Sequence, residues 1–223
     1  MQLILQRVNF FDIIGIIYFI SGGDTAMEEE IKTKRQIQAE KTKDSLFAAA
    51  VELLEEKNFD AITIRDIVTR AKVSIGTFYN YYSTKMEVFY ETYRVADHYF
   101  TSTVAPQLVQ ATALERILCF FEHYARYCSE MTDMQMTRLL YSPDNPWFNR
   151  DPEGGMVGVL IKEVERGLAE GELAGDDSAR EIAEYLMIAI RGLVYHWCTL
   201  DGAYDLNAAV PKFVRRLIAA YLV

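Results

Sequence analysis

Between Val73 and Lys85 the chain reads VSIGTFYNYYSTK. Ser74, Thr77, Tyr79, Tyr81, Tyr82 and Ser83 bring hydroxyls, Gly76 brings no side chain, and Lys85 closes the run with a cation. Few of these groups belong in a core. If Val73, Phe78 and Tyr82 anchor a short helix, then Ile75, Gly76, Thr77, Tyr79, Asn80 and Tyr81 point outward or flank it. Hydroxyls suit phosphate oxygens, and an asparagine can read an adenine edge. The methyl groups of Ile75 or Thr77 can touch a thymine methyl. Gly76 lets a backbone come close to something else. Lys85 at a helix N-terminus is disfavoured by the dipole, but a phosphate there would bind both the lysine and the free N–H groups. The bland alternative is a partly buried, tyrosine-rich amphipathic helix.

The flanking pattern decides between these readings. Thr33 to Lys57 predicts a first helix, with Leu46, Phe47, Ala50, Leu53 and Leu54 on one face. Asn58 is expected to stop it in a left-handed conformation. Thr63-Ile-Arg-Asp66 has the form of a capping box, opening a second helix over 64–71 that buries Ile67 and either Ile64 or Val68. Lys72-Val73 is the turn, and Ser74 caps the third helix. Ser83 or Thr84 caps a fourth over about 85–103, with Pro106 after it. Two short helices on a longer one describe a helix-turn-helix.

FDAITIRDIVTRAKVSIGTFYNYYSTKMEVF, residues 59–89, resembles the DNA-binding segment of the TetR/AcrR family of bacterial transcriptional regulators. The resemblance is specific from Thr33 to Phe89. It rests on Thr63, Ile67-Val68, Ala71-Lys72-Val73-Ser74, Gly76-Thr77-Phe78-Tyr79 and Lys85. Lys72 stands where the family has glycine, adding strain of about 1–2 kcal/mol at most if the turn is left-handed, and a positive charge near the DNA. Tyr82 replaces a more usual phenylalanine. The resemblance implies an all-α protein: an N-terminal three-helix helix-turn-helix domain and a C-terminal helical domain for ligand binding and dimerisation. It implies that Thr63, Tyr79 and Lys85 hold phosphates while Ser74 to Thr77 and Asn80 lie in the major groove.

Composition agrees with a one-sided charge distribution. The chain has 223 residues and a net charge of -9. Between Met27 and Lys85 ten basic and ten acidic residues cancel, whereas Met86 to Val223 holds twelve basic and twenty acidic. An anionic partner is therefore expected at the front half alone. Three cysteines, Cys119, Cys128 and Cys198, without paired spacing, fit a reducing cytoplasm.

Residues 1–26, MQLILQRVNFFDIIGIIYFISGGDTA, break this composition. Val8 to Ile20 is apolar but short for a bilayer span of about 20 residues. Arg7 before it resembles a signal peptide. Gly22-Gly23-Asp24 can be encoded by a purine run like a ribosome-binding site, which makes 1–26 an expected non-native or disordered extension before a start at Met27. A membrane-tethered sensor is the other reading. The expected domains are therefore 27–85 and 86–223.

The second half reads as further amphipathic helices, over 114–130, 131–141, 156–170, 178–200 and 206–222, with a Pro/Gly-rich loop within 142–155. Asp176 or Asp177 is expected to cap the 178–200 helix. Ile182, Leu186, Ala189 and Leu193 form one apolar stripe, and Val210, Phe213 and Leu217 another. Two helices from each of two copies can make a four-helix dimer interface, or the stripes can face their own core. Tyr93, Phe121, Tyr124, Met134, Tyr141 and Trp147 are the expected lining of a site for an apolar or aromatic small molecule. Cys119–His123 and His196–Cys198 are too few ligands for zinc, so no metal or cofactor is expected. Motifs for acyl transfer, metalloprotease, dinucleotide or P-loop chemistry are absent from the sequence, so it reads as a non-enzyme. The expected partners are double-stranded operator DNA, a second copy of the chain and an apolar effector, in the cytoplasm with no membrane. A dimeric repressor released from a palindromic operator is the expected function, with a helical enzyme as a remote alternative.

Overall fold

The computed structural model describes residues 33–132, 134–142, 145 and 154–223. Residues 1–26 lie outside the described residues. The chain divides into two compact units, Met1–Val95 and Ala96–Val223. The division falls ten residues beyond the 85/86 boundary expected from sequence, inside the helix Glu91–Tyr99.

In the first unit α1 spans Lys34–Glu56, opened by a capping box between Thr33 and Gln36. Leu46, Phe47, Ala50, Leu53 and Leu54 are buried on it, as the periodicity predicts. Its end differs from expectation. Lys57 and Asn58 are both extended rather than left-handed, and Lys57 N–H closes the last turn on Leu53 O. Phe59–Ala61 then forms one 3-10 turn. α2 spans Ile64–Arg70, burying Ile67 and Val68, and α3 spans Ile75–Tyr79. α2 packs on α1, and α3 on α2. α4 spans Lys85–Phe89, capped by Thr84.

The helix expected to run unbroken to 103 does not. Tyr90 is a turn, α5 covers Glu91–Tyr99, and Phe100–Val104 widens into a π turn. Thr101 Oγ1 and Ser102 Oγ donate to the carbonyls of Asp97 and His98, competing with the backbone ladder there. Pro106, which cannot donate and crowds the preceding turn, follows at once in the 3-10 turn Ala105–Gln107.

The second unit is also helical. α6 spans Ala113–Arg126, boxed by Thr112 and Glu115, and a π turn covers Tyr127–Met131. α7 spans Met134–Leu140, α8 Gly155–Ala169, α9 Ala179–Thr199 and α10 Leu206–Ile218. α9 is capped by Ser178 in a box with Glu181, not by Asp176 or Asp177. α6 packs against α8 and α10, and α9 against α8 and α10. Gly167 permits the close approach of α8 to the start of α6: a Cβ there would lie 2.7 Å from that of Ala113. Buried Arg116 pins the same corner through Glu163 at 2.9 Å and Glu170 at 3.0 Å, and through the carbonyls of Gln110 and Ala111.

Candidate nucleic-acid interface

Local caps set the turn between α2 and α3. Thr63 Oγ1 accepts from Asp66 N–H, while Asp66 Oδ2 accepts from both Thr63 N–H and Thr63 Oγ1 at 2.8 Å. Lys57 Nζ adds a third bond to the same carboxylate oxygen at 2.7 Å. Lys57 first, then Thr63, hold the Asp66 carboxyl well below the usual carboxylate range. The box therefore loses its acceptor only when pH falls through that depressed value. At the other end of α2, Lys72 has φ 55, the left-handed conformation its position requires. Val73 N–H then bonds Val68 O, which closes the helix.

α3 is held by few contacts. Ser74 accepts from Thr77 N–H at 3.0 Å, and the two hydroxyl oxygens lie 2.8 Å apart. Phe78 is its buried residue, in ring contact with Tyr79 and Tyr82. Tyr82 is buried and donates to Glu91 Oε1 at 2.9 Å. Burial and the neighbouring carboxylate push its phenol pKa far up, so it is a neutral anchor. Ile75 at 49% exposure, Gly76, Tyr79 at 57% and Asn80 face solvent, and Thr77 and Tyr81 are half-buried. A Cβ on Gly76 would meet only Ser74 Oγ, at 3.7 Å, and its φ is not positive. The chain's own fold thus gives no reason for glycine there.

The basic residues around this face divide sharply. Lys57 pairs with Asp66, and Arg70 pairs with Glu52 and Glu56. Lys85 Nζ donates to the carbonyls of Phe59 at 2.8 Å, Ile62 at 2.9 Å and Asp60 at 3.4 Å. It does not present its ammonium at the helix start as the sequence suggests. The physical reason is the unfavourable dipole at that end and three carbonyl oxygens within reach. Arg65 and Lys72 are exposed and hold no ion pair among the described residues. Arg65 was not singled out from the sequence. In the sequence it lies two residues after the cap Thr63, with no carboxylate three or four residues away to pair with it on α2.

The expected ligand and dimer residues separate by burial. Tyr93 is half-buried in the first unit. Phe121, Tyr124 and Tyr141 are buried in the second, and Met134 is half-buried there. Tyr124 and Tyr141 share a hydroxyl–hydroxyl bond, with Cys128 Sγ 3.9 Å from Tyr141. Burial pushes the Cys128 thiol up to about 12. Trp147 lies outside the described residues. His123 bonds Tyr99 OH at 2.9 Å rather than pairing with Cys119. Ile182, Leu186 and Val210, expected at an interface, are fully buried in the unit's own core. Ala189, Leu193, Phe213 and Leu217 are half-buried. The outward apolar residues of α9 are instead Tyr185, Ile188 and Tyr195, with Gly192 exposed among them.

A capped two-helix reader on α1, with a bare glycine on its exposed face, defines a helix-turn-helix DNA-binding unit. Residues 46–92 match the family of bacterial regulatory proteins, tetR family. A 54-residue stretch is 43% identical to the uncharacterized HTH-type transcriptional regulator YdeS of Bacillus subtilis (strain 168), covering 24% of this chain and 27% of that one. This chain thus matches about a quarter of that relative's length. Among solved structures, a putative TetR-family transcriptional regulator from Mesorhizobium loti MAFF303099 superposes with a TM-score of 0.62 at 17% identity, covering 86% of this chain and 100% of that one. FadR of Thermus thermophilus, a TetR-family repressor in complex with lauroyl-CoA, gives 0.62 at 19% identity, covering 81% and 95%. FadR of Bacillus subtilis in complex with stearoyl-CoA gives 0.56 at 19% identity, covering 78% and 97%. The match to the tetR family covers the DNA-binding segment, residues 46–92, and the described residues form an all-α fold shared with these solved TetR-family structures. Among the described residues no helix is long and apolar enough to cross a membrane.

Proposed function

We propose that this protein is a dimeric transcriptional repressor that binds a palindromic operator through α3 and leaves it when an apolar small molecule binds. The observation that carries the DNA reading is Gly76. It sits exposed between Ile75 and Thr77 and costs helix stability of about 0.8–1 kcal/mol relative to alanine, yet a Cβ there would make only an ordinary contact with Ser74 Oγ at 3.7 Å. A close partner backbone explains it. Arg65, Lys72, Thr63 and Tyr79 then serve the phosphates, and Ile75, Thr77 and Asn80 the base edges, with Ser74 and Tyr81 at the margins.

Dimerisation rests on α9. Tyr185, Ile188 and Tyr195 recur at helical spacing on its outer face, and Gly192 lets a second helix come near. Phe213 and Leu217 of α10 are half-buried and contribute beside it. A symmetric pair of readers must lie about 34–36 Å apart, or a multiple of that, to enter successive major grooves. An effector acts by preferring the dimer whose readers miss that spacing, since equal affinity for both states shifts nothing. The two FadR proteins hold acyl-CoA molecules. The buried Phe121, Tyr124 and Tyr141 of this chain, with half-buried Met134 in the same unit, support an apolar effector as well. The protein acts in the cytoplasm, where its DNA is.

The test is a footprint of the purified protein on the DNA flanking its own gene, repeated across salt concentrations. Protection of two half-sites one helical turn apart, with affinity falling steeply in salt, is expected. Equal affinity for every duplex would contradict the reading.

A further inference from the structure

Three carbonyl oxygens converge on the Lys85 ammonium, which has three hydrogens to give. Its charge also lies 4.2 Å from the centroid of the Phe59 ring, a cation–π contact. Phe59 is fixed in turn by an edge-on contact with Phe89 of α4, ring centroids 5.4 Å apart. The lysine therefore ties the start of α4 to the strap 59–62, which carries the chain from α1 to α2. Ile62, one of the residues whose carbonyl it binds, directly precedes Thr63. From the other side, Asp66 and Lys57 fix the Thr63 amide and hydroxyl. A phosphate oxygen approaching this ammonium would have to displace a carbonyl, and would meet the negative ends of the remaining two.

We infer that Lys85 is a positioning residue for DNA binding: it clamps the strap 59–62 and thereby sets Thr63 and Arg65 against the DNA backbone, without touching a phosphate itself. The inference rests on the reading of α2 and α3 as the DNA interface. A clamp and a phosphate ligand differ in one measurable respect. A lysine that neutralises a phosphate releases counterions, so its loss makes the dependence of log K on log salt shallower by about 0.9. A clamp holds other residues in place, so its loss lowers affinity and leaves the slope alone.

The experiment measures binding of wild type, Lys85→Met, Thr63→Ala and the double variant to one duplex across a salt series. Lys85→Met is expected to weaken binding about tenfold at every salt concentration with the slope unchanged. The loss caused by Thr63→Ala in the wild-type background is expected to vanish in the Lys85→Met background, because an unclamped Thr63 no longer contributes. A slope shallower by about 0.9, or strictly additive losses, would overturn the clamp while leaving the DNA-binding reading intact. Failure of the wild type to bind any duplex would overturn both. Should Lys85→Met not fold, NMR of the wild type on DNA decides. Scalar couplings from Lys85 Nζ to the carbonyl carbons of Phe59 and Ile62 are expected to persist, whereas a coupling to a DNA phosphorus would overturn the inference.

Discussion

Among the described residues two helices turn tyrosine to solvent, in different company. α3 has five residues, one buried anchor in Phe78, and an outer face of Ile75, Gly76, Tyr79 and Asn80, while Arg65 of α2 and Lys72 of the turn are exposed cations with no ion pair among the described residues. α9 has twenty-one residues, a full inner stripe from Ile182 to Val194, and an outer row of Tyr185, Ile188 and Tyr195. Exposed tyrosine among amides, hydroxyls and free cations suits a polar, anionic partner. Exposed tyrosine spaced with isoleucine and glycine on a well-anchored helix suits an apolar partner that buries it. The company a residue keeps, more than its type, tells which surface is which.

The largest effect is expected where that contrast is reversed on α9. Ile188, 69% exposed, would face its own symmetry mate across a two-fold axis. Ile188→Asp should cost association roughly 3–5 kcal/mol by opposing two carboxylates, and sedimentation should then find a monomer with unchanged helicity. A dimer that persists would return the apolar row to ordinary surface.

Next comes Gly76. Gly76→Leu should weaken DNA binding about a hundredfold or more, about 2.7 kcal/mol, by filling the space a duplex needs. The same change should leave the melting temperature equal or higher, because leucine is the better helix former. Loss of binding accompanied by unfolding would contradict the open space found around this residue.

Asn80→Ala is the sharper probe of base reading. A loss of about 1–3 kcal/mol confined to particular base pairs is expected in competition assays across operator variants. Uniform weakening would move Asn80 to the backbone-contacting group. The smallest effect belongs to Lys72, at φ 55. Lys72→Gly should raise stability in chemical denaturation by about 1 kcal/mol, while flattening the salt dependence of DNA binding by about 0.9. An unchanged slope would remove Lys72 from the phosphate contacts.

The two regions were not equally legible in the sequence. Thr63-Ile-Arg-Asp66 and Ser74 act through neighbours three residues away, so their caps could be read directly and were found as expected, while of the two candidates Ser83 and Thr84 the cap is Thr84. Lys85 could not be read this way: its partners Phe59, Asp60 and Ile62 lie more than twenty residues back, and only the folded strap brings them within reach. The left-handed stop expected at Asn58 does not form, because an extended exit satisfies the last turn through Lys57 N–H without a left-handed residue. On α9 periodicity gave the stripe but not its direction. Ile182 and Leu186 are as apolar as Ile188, and only packing against α8 and α10 assigns the first two inward.

The most direct test of the account is selection of duplexes from a random pool by the purified protein, followed by methylation interference on those recovered. The account predicts an inverted repeat, with interference at guanine N7 in two major grooves about one helical turn apart, and loss of that selection for Gly76→Leu. Recovery of no common sequence by the wild type, or the same sequence selected equally well by Gly76→Leu, would contradict the claim that the exposed face of α3 reads DNA.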